Sequence, residues 1–450
     1  MPSKIDKLFH PDLTNDNILK TLLAFGTPML ISYIFLQFYN TVDIVVVGHY
    51  LGEDSLAAIG ACSAVNDLLI GFGNGFGSGL GIVAARAYGA NNEDRVKKVV
   101  VGSVFITIFV TIFIMILGQF CLRPLMTLLG TPDSILDEAL SYIWVIAIFS
   151  GILFAYNLFS GLLRAIGNSI MPLVFLICSS LLNIFLDILL ITVFDMGVQG
   201  TAIATVISQG ISAILCLIYI LAKCKILIPN KKSFSVDPVI YKDLVGQGLS
   251  MALMSSLVNS GTVILQKAIN SFGTYIMAGH ISARKVFIFT NIPLFTFGMT
   301  SATFVSQNYG AGKIDRIKKG VKILYLLSAI WGILCTIFIP IFSKSLISFI
   351  SGSSHPEVIN YGAKYISFAM PFYAILGVLL VTRNALQGLG SKVLPLVSSI
   401  IELLGKILFT ALIIPLMGSW GIILCEPVIW VVMTIQLVWV FLRHPVFKQK

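Results

Sequence analysis

Long apolar runs recur along almost the whole chain, and they limit its fold more than any other feature of the sequence. Twelve runs exceed the roughly 20 apolar residues that a helix needs to cross the hydrocarbon core of a bilayer. Lipid offers no partner to a free backbone amide or carbonyl, so each run must be helical. The sequence therefore predicts an all-α membrane protein with about 12 transmembrane helices. We place them at residues 22–47, 56–85, 97–122, 138–163, 170–193, 198–222, 246–270, 277–306, 321–349, 360–387, 393–416 and 420–443.

The composition agrees with a membrane protein and excludes most soluble classes. Of the 450 residues, 57% are hydrophobic and only 11% are charged, whereas a soluble surface of this size needs roughly a quarter of charged residues. The sequence contains no Walker A motif, no His-Glu-x-x-His motif and no Gly-x-Ser-x-Gly motif. We therefore expect no enzymatic activity and no cofactor other than a coupling ion.

Basic residues concentrate in alternate loops between the apolar runs. If the amino terminus is placed in the cytoplasm, 23 of the 30 lysines and arginines fall on the cytoplasmic side. This bias predicts a multi-pass protein of the inner or plasma membrane with both termini in the cytoplasm. It also explains the net charge of +10 without a nucleic-acid partner.

The two halves of the chain repeat each other. Residues 88–99 (YGANNEDRVKKV) and 309–320 (YGAGKIDRIKKG) share seven of twelve residues at an offset of 221. A repeat of six helices returns the chain to the same side of the membrane, so the halves are parallel and related by a pseudo-two-fold axis along the membrane normal. We predict a six-helix bundle at 1–223, a cytoplasmic linker at 224–242 and a second six-helix bundle at 243–450. Such repeats are typical of transporters.

Polar residues within the apolar runs of the first half form one candidate site. Asn183 and Asp187 lie four residues apart on helix 5 and therefore share a face. Asp43 lies on helix 1 and Thr205 on helix 6. These side chains supply oxygen ligands, which suit a hard cation such as Na⁺, and the same carboxylates could bind a proton. The alternative is that Asp43 and Asp187 hydrogen-bond the local backbone.

The second half carries buried charges of both signs, and the repeat does not duplicate the first-half site. Lys406 replaces Asn183 at the equivalent position, and Glu426 replaces Thr205. A buried structural pair of Lys406 with Glu402 or Glu426 and a role in substrate or proton handling are both open interpretations. The candidate polar residues of a cleft or of the second half are Asp67, His280, Arg284, Glu402, Lys406 and Glu426.

Three basic residues open helix 8, namely His280, Arg284 and Lys285. We favour the interpretation that they extend to the membrane interface. If they instead face the outer cleft, they repel organic cations unless an acid pairs with them, and they point to an anionic or zwitterionic substrate.

Glycines and prolines mark two further features. Helix 2 contains six glycines at alternate positions between Gly71 and Gly81, which give two small-residue faces suited to close helix contact or sliding. Prolines interrupt four apolar runs and are candidate bending points. These prolines are Pro28, Pro293, Pro371 and Pro427.

Several motifs together resemble the multidrug and toxic compound extrusion (MATE) family of the MOP flippase superfamily. They are Pro28, residues 40–43 (NTVD), 47–48 (VG), 51–52 (LG) and 56–60 (LAAIG), the paired Tyr-Gly-Ala segments, and residues 388–390 (GLG) with Pro395. The resemblance implies an exporter driven by Na⁺ or H⁺. It also implies that the cation site comprises Asp43, Asn183, Asp187 and Thr205, and that helix 1 bends at Pro28. Acids that some members carry on helices 7 and 10 have no counterpart here, so we expect a coupling site in the first half only.

The sequence thus predicts a secondary active multidrug antiporter that works by alternating access. Its expected partners are a small amphipathic organic substrate and the lipid bilayer, and the expected functional unit is a monomer. A flippase for lipid-linked or polysaccharide precursors is the alternative, because phosphate-bearing substrates would suit the basic residues of helix 8. A membrane enzyme or receptor is a third hypothesis, which the missing catalytic motifs and the parallel repeat disfavour.

Overall fold

The computed structural model describes residues 11–448, and this part of the chain is almost entirely helical. Eleven helices are long and apolar enough to cross a membrane, and a pair of helices that meet at a 45° bend forms a twelfth crossing. No β-strand occurs between residues 11 and 448. The predictions of an all-α membrane protein and of about 12 transmembrane helices are therefore confirmed.

The first six crossings each overlap one predicted run. Two short 3₁₀ turns, Lys225–Leu227 and Lys231–Phe234, follow the sixth. The crossings are α1 (Ile18–Tyr50), α2 (Glu53–Gly89), α3 (Glu93–Leu128), α4 (Asp133–Ile148 continued by Ser150–Ala165), α5 (Ile170–Thr192) and α6 (Gly197–Lys223).

The second six crossings follow the same order. Two of them contain irregular segments: a 3₁₀ turn at Met370–Phe372 interrupts α10, and a π-helical segment at Phe409–Ile413 interrupts α11. The crossings are α7 (Pro238–Asn270), α8 (Thr274–Gly310), α9 (Ile314–Ser351), α10 (Pro356–Gly388), α11 (Val393–Met417) and α12 (Ser419–Leu442).

The helices pack into two compact units. The first unit contains Thr27–Leu253, and the second contains Leu13–Gly26 together with the chain from Met254 onward. By packing, therefore, α1 and α7 each change unit within the helix. The predicted bounds of 1–223, 224–242 and 243–450 stay a prediction, and their outer ends at 1–10 and 449–450 lie outside the described residues.

Backbone conformation repeats between the two halves as the sequence does. Five pairs of residues with positive φ are separated by 221 to 223 residues, which is within two residues of the 221-residue offset of the repeated motif. Such residues let the chain turn between helices, and glycine adopts this conformation without a Cβ clash. The pairs are Gly52 and Gly273, Asn91 and Gly312, Gly130 and Gly352, Gly167 and Gly390, and Gly197 and Gly418.

The glycines of α2 allow two close helix contacts within the first unit. A Cβ on Gly77 would lie 2.9 Å from the carbonyl oxygen of Asn157 on α4, and a Cβ on Gly75 would lie 2.5 Å from that of Met251 on α7. Only glycine permits backbones to approach this closely. The two predicted small-residue faces therefore pack against α4 and α7. Gly73 and Gly81 share the α4 face, and Gly79 shares the α7 face.

Breaks in the helices coincide only partly with prolines. Pro371 lies in the 3₁₀ turn of α10, whereas α4 bends at Phe149, where no proline occurs. The helices continue through Pro28, Pro293 and Pro427. Transmembrane helices tolerate proline because neighbouring groups satisfy the freed carbonyls. The bending role of Pro28 stays a prediction.

Candidate functional site

Three helices of the first unit bring together the four polar residues that the sequence singled out. Asp43 comes from α1, Asn183 and Asp187 from α5, and Thr205 from α6. Asn183 and Asp187 are completely buried, while Asp43 and Thr205 are half-buried. The four side chains therefore form one polar site inside an otherwise apolar helix bundle.

The amphipathic pattern of α5 explains why its two polar residues point inward. Leu181 and Phe185, which alternate with them along the helix, are 64% and 61% exposed and suit contact with lipid tails. Residues four apart in a helix lie one above the other on the same face. The spacing of Asn183 and Asp187 thus directs both to the interior as a pair.

The amide of Asn183 links all the helices of the site. With its nitrogen turned toward the acids, it donates hydrogen bonds to Oδ1 of Asp43 at 2.9 Å and to Oδ2 of Asp187 at 3.1 Å. Its oxygen then accepts a hydrogen bond from the backbone nitrogen of Thr205 at 3.2 Å. This orientation satisfies both ends of the amide, which is the criterion for assigning it. One side chain therefore holds two carboxyl groups beside each other.

Tyr39 is a member of the site that the sequence did not reveal. Its hydroxyl lies 3.2 Å from Oγ1 of Thr205 and within hydrogen-bonding reach of Asp43. Tyr39 and Asp43 are four residues apart on α1, so the same spacing argument that paired Asn183 with Asp187 would have found it. Tyrosine is common in membrane helices, however, and the spacing alone did not distinguish it.

The two carboxyl groups demand a positive partner. Asp43 and Asp187 lie within hydrogen-bonding reach of each other, and Oδ1 of Asp187 is buried without a hydrogen-bond partner. Two carboxylates this close in an apolar bundle cannot both keep an uncompensated charge, so a proton neutralises one of them or a cation lies between them. The arrangement is chemically able to take up one small cation and release it.

The donor set suits H⁺ and admits Na⁺. Carboxylate, amide and hydroxyl oxygens are the ligands that hard cations prefer. Between residues 11 and 448 there is no group of three His, Cys, Asp or Glu side chains that would hold a metal ion. Na⁺ at this site would therefore depend on the oxygens of Asn183, Thr205 and Tyr39 in addition to the two acids.

In the second unit, Lys406 is paired with Glu402 and not with Glu426. Nζ of Lys406 lies 3.1 Å from Oε1 of Glu402 and donates to Oγ1 of Thr262 on α7 at 3.2 Å. Both charged residues are buried, and they are one helical turn apart on α11. The structure thus shows one of the two pairs that the sequence left open.

Glu426 is paired with Arg284 instead. Nη1 of Arg284 lies 2.9 Å from both carboxylate oxygens of Glu426, and the hydroxyl of Tyr365 donates to the same carboxylate at 3.0 Å. His280 is buried against the ring of Tyr365, with ring centroids 4.8 Å apart. The interpretation that His280 and Arg284 extend to the interface is therefore wrong, because Glu426 supplies a counter-charge in the interior.

Two remaining residues lie on exposed surfaces. Lys285 is exposed, next to the half-buried Arg284, and its position at the membrane interface stays a prediction. Asp67 lies on α2 with an exposed side chain. The structure thus groups three predicted residues around Asn183 and five others into clusters of the second unit.

The helix bundle, its internal repeat and its buried carboxyl pair define a polytopic membrane transporter. Comparison with known proteins gives the family. The family model MatE matches residues 28–189 and 250–412, one segment in each half of the chain. The chain belongs to this family of multidrug efflux transporters, whose members are transporters and not enzymes.

Curated relatives cover nearly the whole chain. The probable multidrug resistance protein YoeA of Bacillus subtilis is 25% identical over 412 residues, which are 90% of this chain and 89% of that protein. The multidrug export protein MepA of Staphylococcus saprophyticus is 22% identical over 78% of this chain and 77% of its own. Such bacterial relatives indicate a multi-pass protein of the plasma membrane.

Solved structures share the fold over the full length. A MOP superfamily transporter from Pyrococcus furiosus, described as having a binding pocket of reverse polarity, has a TM-score of 0.89 at 21% identity and covers 100% of both chains. A MATE structure described as the bent conformation has a TM-score of 0.88 at 20% identity, covering 100% of this chain and 99% of that one. A straight conformation has a TM-score of 0.89, also at 20% identity with 100% of both chains covered. These likenesses establish the fold.

Proposed function

We propose that the protein is a secondary active antiporter that exports small amphipathic organic molecules by alternating access. Inward movement of H⁺ or Na⁺ drives export, and the coupling ion binds at Asp43 and Asp187. The protein acts as a monomer in the cell membrane, with both termini in the cytoplasm. The names of the curated relatives as multidrug resistance and export proteins support this substrate class.

One observation carries the proposal: the buried Asp187 has a carboxylate oxygen with no hydrogen-bond partner while its other oxygen shares the amide nitrogen of Asn183 with Asp43. A purely structural acid would have its acceptors satisfied, since an unsatisfied buried polar group costs about 1–3 kcal/mol. An acid that binds and releases an ion in each cycle must leave an acceptor open for it.

Cation binding changes the charge of the site and thereby its preferred conformation. Without a bound cation or proton the two acids would carry two negative charges in a bundle of low dielectric constant, and one bound cation halves that charge. Because Asp43 lies on α1 and Asp187 on α5, repulsion between the acids acts directly on the distance between these helices. A cation that binds one conformation more tightly shifts the equilibrium toward it, and the substrate responds through the same equilibrium.

The amide of Asn183 distinguishes the two candidate ions. Its nitrogen faces the carboxyl groups, which suits a shared proton. Na⁺ between the acids would require the amide to turn, so that its oxygen faced the ion. A proton-coupled cycle therefore suits the amide orientation assigned from its hydrogen bonds, whereas a sodium-coupled cycle requires the reverse.

The flippase alternative loses part of its support. It depended on basic residues of α8 that would meet phosphate groups, but Glu426 already neutralises Arg284. Lys285 alone of the three remains exposed. We therefore favour export of amphipathic molecules over flipping of lipid-linked precursors.

Reconstituted transport tests the proposal. Purified protein in liposomes would receive a pH gradient and a Na⁺ gradient separately, and export of a fluorescent amphipathic dye would be followed. We expect one gradient to drive export by the wild type, and neither gradient to drive it in Asp43→Asn or Asp187→Asn. Asp137→Asn is the matched control, because that acid lies in an exposed ion pair with Arg123 and its side chain is 85% exposed. Full gradient-driven export by both site variants would refute the proposal.

A further inference from the structure

Three charged side chains of the second unit are buried together without balancing one another. Arg383 on α10 is 9% exposed, and Glu402 and Lys406 on α11 are 9% and 2% exposed. Lys406 holds Glu402 at 3.1 Å, whereas Nη2 of Arg383 lies 3.7 Å from the other oxygen of Glu402. The second distance is too long for a hydrogen bond. Two cations therefore face one anion.

The guanidinium of Arg383 lacks the partners that a buried cation needs. Its Nε and Nη2 are buried and have no hydrogen-bond partner. Burial of an uncompensated charge is strongly unfavourable in protein interiors. The neighbouring pair of Arg284 and Glu426, by contrast, is balanced and doubly hydrogen-bonded. Arg383 thus shares Glu402 with Lys406, and the three side chains together carry one surplus positive charge.

The internal repeat shows that the fold does not require these charges. At an offset of 223, which aligns the Pro-Leu-Val segments of helices 5 and 11, Arg383, Glu402 and Lys406 correspond to neutral residues. The first unit therefore builds the same helix pair with neutral residues at these three positions, although Arg164 of α4 donates to Ser160 at 3.3 Å. Those neutral counterparts are Ser160, Ser179 and Asn183.

The backbone around Lys406 has two unusual features, a glycine on the facing helix and a π-helical segment. The stem of Lys406 lies over Gly261 of α7, where a Cβ would come within 2.9 Å of its Cδ. The π-helical segment Phe409–Ile413 begins three residues after Lys406. π-Helical segments within α-helices often accompany functional sites. Gly261 thus leaves room for the stem of the buried Lys406, and the backbone of α11 is irregular close to this lysine.

We propose that the second unit binds an anionic group, a carboxylate or a phosphate, at Nε and Nη2 of Arg383, beside the pair of Glu402 and Lys406. A guanidinium presents two parallel N–H groups that match the two oxygens of such a group. Lys406 adds a second positive charge, and Glu402 keeps both cations in place between binding events. The inference builds on the proposed function, because it assigns exported molecules an anionic or zwitterionic character.

Equilibrium binding to the purified, full-length protein tests this site without any ion gradient. The probes are 2-naphthoate and its methyl ester, which differ chiefly in charge, and inorganic phosphate as a free ion. We expect the wild type to bind 2-naphthoate or phosphate, and to prefer 2-naphthoate over the ester by about ten-fold or more. Preference for naphthoate identifies an organic anion, and competition by phosphate alone identifies a free ion. Absence of binding by every anionic probe would overturn the proposal.

Arg383→Gln is the informative variant, because it removes the surplus charge and leaves the pair of Lys406 and Glu402 intact. We expect it to lose the preference for anions while melting at no lower temperature than the wild type. Arg123→Gln is the control, since it removes an equal charge from an exposed ion pair and should keep the preference. Unchanged anion binding in Arg383→Gln, or a melting temperature lowered by several degrees, would overturn the proposal.

A second variant gives an independent check on folding. The triple substitution R383S/E402S/K406N installs the neutral residues of the first unit at the equivalent positions. It should fold and bind no anion preferentially. A triple variant that folds and still prefers naphthoate would also overturn the proposal. If the anion-binding tests fail, the proposal of cation-driven export through Asp43 and Asp187 still stands, because gradient-driven transport is measured in a separate experiment.

Discussion

Asp43 on α1 and Asp187 on α5 contact the same amide nitrogen, that of Asn183, at 2.9 and 3.1 Å. The two acids are 144 residues apart in the sequence, and a neutral side chain holds them together. Each hydrogen bond to a charged group contributes about 1.5–3 kcal/mol. The geometry of the carboxyl pair therefore depends on Asn183 as much as on the acids themselves.

Replacement of Asn183 should impair gradient-driven export, because Asn183 holds the two carboxyl groups together. In Asn183→Ala the two carboxyl groups lose their shared donor, and we expect gradient-driven export to fall by about ten-fold or more. Initial export rates in liposomes measure this loss. The control variant is Asp137→Asn, because Asn157→Ala would disturb the packing of Asn157 against Gly77. An export rate equal to that of the wild type would show that the amide does not organise the acids.

Loss of the Tyr39 hydroxyl should have a smaller effect. Tyr39→Phe keeps the ring and removes the hydroxyl that bonds Thr205 and reaches Asp43, and one such hydrogen bond is worth about 0.5–1.5 kcal/mol. We expect the concentration of driving ion needed for half-maximal export to rise several-fold, while the maximal rate changes little. Export rates over a series of ion concentrations give both quantities. A large loss of maximal rate at unchanged ion dependence would assign Tyr39 to a different step.

The ion pair of Arg284 and Glu426 should stabilise the second unit only as a pair. Arg284→Gln leaves a buried carboxylate without its cation, and we expect a loss of about 3–5 kcal/mol in unfolding free energy. The double variant R284Q/E426Q removes both charges and should recover most of this loss. Thermal melting of the purified variants provides the comparison. Equal melting temperatures for the single and double variants would contradict the pairing.

Close packing of α2 makes a further stability prediction. A Cβ at Gly75 meets the Met251 carbonyl at 2.5 Å, and overpacking of this kind typically costs about 1–3 kcal/mol. Gly75→Ala should therefore lower the melting temperature. Gly60→Ala, on the same helix but with nothing within 4 Å of the added Cβ, should not. Equal melting of the two variants would mean that α2 and α7 lie further apart than described.

The sequence predicted those parts of the fold that depend on local pattern. Hydrophobic length located all twelve crossings, and the glycine periodicity of α2 anticipated its two contact faces. Spacing along a single helix paired Asn183 with Asp187. The partner of Glu426 was missed, because Arg284 lies 142 residues away and only tertiary packing joins them.

The sequence also did not predict where the helices become irregular. The bend of α4 at Phe149 and the π-helical segment of α11 involve no proline or glycine at the break itself. Both arise from how neighbouring helices pack, which hydropathy does not record. The grouping of Asp43 with α5 was predicted from their oxygen ligands and from the family resemblance, since composition gives no distance between helices.

Direct measurement of cation uptake tests the central claim most closely. Purified protein in weakly buffered detergent solution would be titrated with acid or with radioactive Na⁺, and the number of ions taken up per protein would be compared with that of the double variant D43N/D187N. We predict that the wild type takes up a single cation more than the variant and releases it when a transported dye binds. Equal uptake by the two proteins would contradict the assignment of the coupling ion to Asp43 and Asp187.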